Sequence, residues 1–201
     1  MEIHLRTGFL CRQSPMTCNL SPVTSAKMST LLPFRALRPH PELAAQICAL
    51  PYDVMSSEEA RRMASGQPLS FLHVSKPEIN LPSSLPTDDP RVYAQGRENF
   101  QALIAGGSLR QDDAPAYHLY RQQMGAHTQV GLVAVASCDE YDRNIIRRHE
   151  LTRPDKEDDR VRHIETLNAQ TGPAFLVYRA QTELDTLIAA RIKGTPDVDF
   201  T

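Results

Sequence analysis

Residues 115–137, Pro115-Ala116-Tyr117-His118-Leu119-Tyr120-Arg121-Gln122-Gln123-Met124-Gly125-Ala126-His127-Thr128-Gln129-Val130-Gly131-Leu132-Val133-Ala134-Val135-Ala136-Ser137, decide the fold class. Their β-branched and aromatic content reads as two strands, 115–121 and 128–137, joined across 122–127, a loop of hairpin length. A turn over 139–142 and a third strand over 143–148 follow. Three adjacent strands with short connections make an antiparallel meander.

Outward from this meander, from residue 31 onward, the pattern alternates strands and helices, with a short apolar helical piece over 42–49. Ser56 and Glu59 have the spacing of a capping box, which opens a helix that ends near Gly66. Leu69-Ser70-Phe71-Leu72-His73-Val74 reads as a strand, and the proline-rich stretch 75–88 as a loop. Asp89 caps a helix that has Pro90 at its first position. Val92, Tyr93, Phe100, Leu103 and Ile104 give that helix an apolar stripe, and Gly106-Gly107 stops it. A helix over 154–169 is expected to bury Val161, Ile164 and Leu167; a strand at 174–179 and a helix at 183–192 capped by Thr182 come next. The predicted fold is α+β, a mixed, largely antiparallel sheet with helices packed on it. Residues 194–201 read as a turn and the first residues of a strand, so the expectation is a C-terminally truncated domain: 28–201 as the N-terminal part of a longer α+β unit. Residues 1–27, basic and rich in Ser, Thr and Pro, read as a disordered leader or a mis-set start before Met28.

Composition narrows the function classes. A net charge of −2, with acidic and basic residues interleaved, argues against a nucleic-acid partner, which favours a basic face. No apolar run approaches the ~20 residues that span a bilayer, so no membrane role is expected. Cys11, Cys18, Cys48 and Cys138 include no C-x-x-C pair and read as buried or incidental free thiols in a reducing cytoplasm. The common glycine-rich nucleotide motifs and the G-x-S-x-G nucleophile turn do not occur.

The chemistry concentrates in Arg147-Arg148-His149-Glu150-Leu151-Thr152-Arg153-Pro154-Asp155-Lys156-Glu157-Asp158-Asp159-Arg160. Here an apolar run gives way to a helix. A helix N-terminus offers unpaired amide groups and a partial positive charge, so anions settle there. Arg147, Arg148, Arg153 and Lys156 add cations, and guanidinium groups grip phosphate or carboxylate through paired bonds; Lys156 and Arg160, four apart, share a helix face. His149 titrates near neutrality and can carry a proton; Glu150 can orient it or act as base. Thr152 is placed to cap the helix with Asp155 as its partner, and Asp159 to orient Lys156. Tyr52 and Asp53, in Pro51-Tyr52-Asp53-Val54 ahead of another helix, form a second candidate patch, with Asp53 able to take a hydroxyl. The same residues also fit a bland reading, an exposed helix start with a solvated charged face. His149 and Glu150 alone do not have metal-ligand spacing, so no metal site is expected.

Pro51-Tyr52-Asp53-Val54-Met55-Ser56, Phe71-Leu72-His73-Val74, Tyr117-His118-Leu119-Tyr120 and His149-Glu150-Leu151-Thr152 followed by Lys156-Glu157-Asp158-Asp159-Arg160 together resemble the uncharacterised bacterial family known as domain of unknown function 1015. The likeness runs from about residue 31 to the end, with Leu151 standing where the family carries a basic residue. It implies a longer protein, whose second half carries an Ala-Asp-Gly-His-His-Arg-Tyr motif that this chain lacks. That motif is similar to one in ParB-like kinases acting on free serine, which implies phosphoryl transfer. The functional expectation is therefore a cytoplasmic small-molecule enzyme, or half of one. His149 and Glu150 would be catalytic, and Arg148, Thr152, Arg153, Lys156, Asp159, Arg160, Tyr52 and Asp53 would bind an anionic ligand. Mg²⁺ or a nucleotide would be the candidate cofactor; the oligomeric state is not legible. The alternatives are a non-catalytic ligand-binding or regulatory module and an inactive truncated remnant.

Overall fold

The computed structural model describes residues 5–10 (backbone only), 29–147 and 153–200. In chain order the first half holds β1 (Leu5–Leu10), β2 (Leu31–Leu32), β3 (Leu37–Pro39), α1 (Ala44–Ile47), α2 (Ser57–Ala64), α3 (Leu72–Ser75) and α4 (Pro90–Ala105). The second half holds β4 (Leu109–Gln111), β5 (His118–Met124), β6 (His127–Val133), β7 (Val135–Ala136), α5 (Cys138–Asp142), α6 (Pro154–Leu167), α7 (Thr182–Arg191) and β8 (Val198–Phe200). Every strand pairing with a described register is antiparallel, and the class is α+β. Among the described residues no helix is long and apolar enough to cross a membrane.

The chain divides into two compact units. The first comprises 1–37, 111–151 and 178–201; the second comprises 38–110 and 152–177.

The first unit is built on a four-stranded sheet of order β6-β5-β1-β8. The β5–β6 hairpin pairs His118 with Val133 through to Met124 with His127, so its connection is only Gly125-Ala126. Gly125 has φ +57°, the left-handed backbone that a tight two-residue turn of the II′ kind needs at its first position. The predicted strands were right in kind, and the loop between them is shorter because the ladder continues to the turn. Leu5–Leu10, assigned by composition to a disordered leader, instead forms β1 between β5 and β8, with Leu5 opposite Met124 and Thr7 opposite Phe200. The chain's closing residues thus pair at β1 as β8. A small β2–β7 ladder stands apart, and nearby the Glu140 carboxylate accepts bonds from the Thr30 amide and hydroxyl, both at 2.8 Å.

Two predicted strands do not form among the described residues. The turn at 139–142 is helix α5, capped by Ser137, and the amides of Ile145 and Ile146 both donate to the Glu140 carbonyl, curling 143–147 back on that helix instead of along a neighbour. Residues 174–179 have no regular structure, and Phe175 and Val177 are 77% and 80% exposed. A strand needs a partner, and none of the described strands lies beside this run. Helix α7 begins at Thr182 itself, with Gln181 as an N-cap whose side chain makes no capping bond.

The second unit is helical. The capping box of α2 is formed in both directions: the Ser56 hydroxyl accepts from the Glu59 amide, and the Glu59 carboxylate accepts from the Ser56 amide at 2.8 Å. Ala60 and Ala64 of α2 meet Leu72 and Ile79 in a small apolar core. The apolar run expected as a strand is instead α3. The amides of His73 and Val74 close onto the carbonyls of Ser70 and Phe71, because a short run of large apolar residues packs equally well as one helical turn. Helix α4 follows its prediction, with Asp89 capping the Arg91 amide at 2.9 Å and Val92, Tyr93, Phe100 and Leu103 buried. A Cβ at Gly96 of α4 would lie 3.1 Å from the Pro77 ring, so glycine there lets α4 approach the turn after α3. Helix α6 packs against α4 but buries His163 and Leu167, leaving Val161 46% exposed. Cys48 and Cys138, read as buried or incidental free thiols, are both free and exposed.

Candidate functional site

Of the proposed site residues, Arg148, His149, Glu150 and Thr152 lie outside the described residues. The remainder belong to the second unit. Helix α6 starts at Pro154 with Arg153 as its N-cap, and no side chain caps it. Asp155, expected as a box partner for Thr152, is instead gripped by Arg153, whose Nε and Nη2 donate to its two oxygens at 3.1 and 2.8 Å. The Arg153 guanidinium lowers the Asp155 carboxyl below its ordinary range. Both side chains stand in solvent, which makes the pair of little energetic consequence. Lys156 and Asp53 are exposed, and Lys156 forms no ion pair among the described residues.

One turn further along α6 the charges converge. Tyr93 of α4 donates its hydroxyl to Asp159 Oδ1 at 2.8 Å, and Arg160 donates from Nε and Nη2 to Asp159 Oδ2 at 3.0 and 2.5 Å. The Arg160 guanidinium then lies over the Tyr52 ring, 4.2 Å from its centroid, a cation–π arrangement. Tyr52 is held by the one-turn helix Tyr52–Val54, which Pro51 precedes. Three distant segments of sequence are thereby clasped by an alternation of aromatic ring, cation, anion and phenol. Arg160 Nη1 makes no hydrogen bond to any described residue.

The electrostatics follow from burial and partners. Burial alone would push the Asp159 carboxyl up, but the bonds from Arg160 and Tyr93 outweigh it and hold it below the usual range. Burial, with the adjacent Asp159 carboxylate, pushes the Tyr93 hydroxyl up to about 12 despite the opposing charges of Arg162 and Arg160, so it remains a donor. On the same helix His163 is 2% exposed and its Nε2 donates to the Val74 carbonyl at 2.9 Å. Burial pushes its pKa down and the neighbouring Arg160 pushes the same way, against the Val74 bond and the carboxylates of Asp159 and Glu78. This histidine is a neutral latch between α6 and α3.

The structure brings Tyr52, which the sequence places in a separate patch, together with Asp159 and Arg160, and leaves Arg153, Lys156 and Asp53 apart on the surface. Sequence reasoning missed Tyr93 and His163. Tyr93 was counted in an apolar stripe; the available signal was its hydroxyl, which on a buried ring needs a partner. Among the described residues no trio of His, Cys, Asp and Glu gathers as a metal site.

No curated protein and no solved structure matches the chain. Residues 31–201 match the family described as "Protein of unknown function (DUF1015)", and the chain therefore belongs to that family.

Proposed function

We propose that this chain binds a small anionic metabolite, a phosphate or a carboxylate, at the start of α6 in the second unit, in a bacterial cytoplasm. The observation that carries the reading is the state of Arg160. Its guanidinium is laid flat on Tyr52 and fixed along one edge by Asp159, which Tyr93 braces in turn, while Nη1 keeps its donors. A cation held in one orientation before the ligand arrives loses little entropy on binding. Lys156, one helical turn earlier, supplies a second positive charge that no carboxylate among the described residues holds. Arg148, Thr152 and Arg153 complete the proposed set of ligand-binding residues. In the enzymatic form of the proposal, His149 or Glu150 moves the proton of a phosphoryl transfer, with Mg²⁺ or a nucleotide as co-reactant. In the binding-only form, His149→Ala and Glu150→Gln weaken binding or stability without abolishing any turnover.

Thermal unfolding with inorganic phosphate, phosphorylated metabolites and dicarboxylates tests the reading. A ligand at a hundredfold over its Kd stabilises the fold by about 2.7 kcal/mol, a readily measured rise in Tm. Arg160→Lys keeps the charge but loses the planar stack and should abolish the rise. A Tm indifferent to every anion, or an equal rise in Arg160→Lys, would dispose of the proposal.

A further inference from the structure

A second concavity of the same unit, a cleft of about 530 Å³, runs between α4 and α6. Tyr93 and Arg97, four residues apart, line it from α4; Arg162 and Thr166, also four apart, line it from α6. That spacing puts each pair on one helical face. Two guanidinium groups and a hydroxyl therefore front the same space, at the back of the Tyr93 ring whose own hydroxyl is committed to Asp159.

What distinguishes Arg97 and Arg162 is that they are unspent. Other arginines at the ends or along these helices each take an adjacent carboxylate: Arg91 takes Asp89, Arg153 takes Asp155, Arg160 takes Asp159. Arg97 and Arg162 form no ion pair or hydrogen bond among the described residues, although carboxylates are at hand. Asp88 and Glu98 line the very same cleft, and Asp158 and Glu165 stand four before and three after Arg162 on α6.

We infer that the α4–α6 cleft is a second oxyanion site, in which Arg97 and Arg162 grip a small carboxylate or phosphate between the two helices and Thr166 adds a hydroxyl donor. Guanidinium forks pair with such groups through parallel bonds, so two of them on facing helices suit a single planar or tetrahedral oxyanion. Asp88 and Glu98 set the upper limit of the ligand. Their charges repel extended polyanions, so the site takes a small molecule and refuses nucleic acid or polyphosphate. This site shares no cation with the Arg160 platform, and it stands or falls separately from it.

The test follows the Arg97 and Arg162 Nε–Hε signals by NMR in the intact chain, titrated with inorganic phosphate in one arm and succinate in another, each against sodium chloride of equal ionic strength. Saturable movement of both signals in either arm supports the site, and the arm that saturates at lower concentration identifies the class of oxyanion. Arg97→Gln combined with Arg162→Gln should weaken binding in that arm about tenfold or more, a loss of about 1.4 kcal/mol. Arg160→Lys should leave the two signals moving as before. Signals that stay still, or that move only as far as chloride moves them, overturn the inference. So does loss of the response in Arg160→Lys, which would make the cleft a relay of the first site.

Discussion

Helices α4 and α6 begin alike and are anchored differently. Each has proline at its first position, Pro90 and Pro154, and they pack side by side. In α4 the carboxylate of Asp89 satisfies the Arg91 amide, and five residues, Val92, Tyr93, Gly96, Phe100 and Leu103, are buried. In α6 the N-cap is an arginine whose side chain turns to Asp155, and only His163 and Leu167 are buried. The second helix carries the charged chemistry and is fastened at a few polar points: His163 to Val74 and Asp159 to Tyr93. A helix held by hydrophobic area is hard to perturb. One held by two hydrogen bonds and a single leucine can be released by a change in charge.

That contrast can be broken at the stronger partner. Phe100, 5% exposed and edge-on to Phe71 at 6.5 Å, anchors α4. Phe100→Ala should cost about 3–5 kcal/mol in urea unfolding through lost burial and the cavity left behind. Destabilisation below ~1 kcal/mol would mean that α4 is not the keel of this unit.

The weaker partner can be exposed by acid. His163 is neutral in the fold with its pKa below 6.5, while the unfolded chain takes a proton near 6.5. As pH falls through that value the unfolded state gains its proton first. The stabilisation is complete above about 6.5 and is lost as pH descends toward the folded value, by at most about 1.4 kcal/mol per pH unit. The Tm of the native chain should therefore fall more steeply between neutral and mildly acidic pH than that of His163→Gln. Parallel curves would remove the latch from the account.

The smallest effect sharpens the comparison at the caps. Asp89→Ala should destabilise by ~1 kcal/mol, whereas Arg153→Ser, which offers α6 a capping hydroxyl, should stabilise by several tenths of a kcal/mol. Calorimetry of the two variants should give Tm shifts of opposite sign; shifts of the same sign would show that the two helix starts are equivalent after all.

How far the sequence carries depends on how local the signal is. Asp89-Pro90 and Gly106-Gly107 bracket α4 because cap, fixed φ and stop are written within the helix's own residues. The Ser56–Glu59 box and the β5–β6 hairpin were legible for the same reason. Leu72-His73-Val74 was not, since four or so apolar residues satisfy either period and only the surrounding packing chooses between them. The run 174–179 had strand chemistry without a strand neighbour, and pairing is a property of two segments. In the site, Asp159 and Arg160 were found as charges in a dense motif. The Tyr93 hydroxyl that braces them comes from 66 residues earlier, a separation no local pattern spans.

The interleaving of the two units bears on how the polypeptide is made. Val74 and His163 are 89 positions apart, and the stretch 111–151 that intervenes belongs to the other unit. A growing chain leaving the ribosome must therefore hold α2 to α4 without their closing helix while the hairpin of the neighbouring body emerges and pairs. During that interval the α4 surface that α6 later covers is bare, which makes it the stretch where a chaperone would engage the nascent protein.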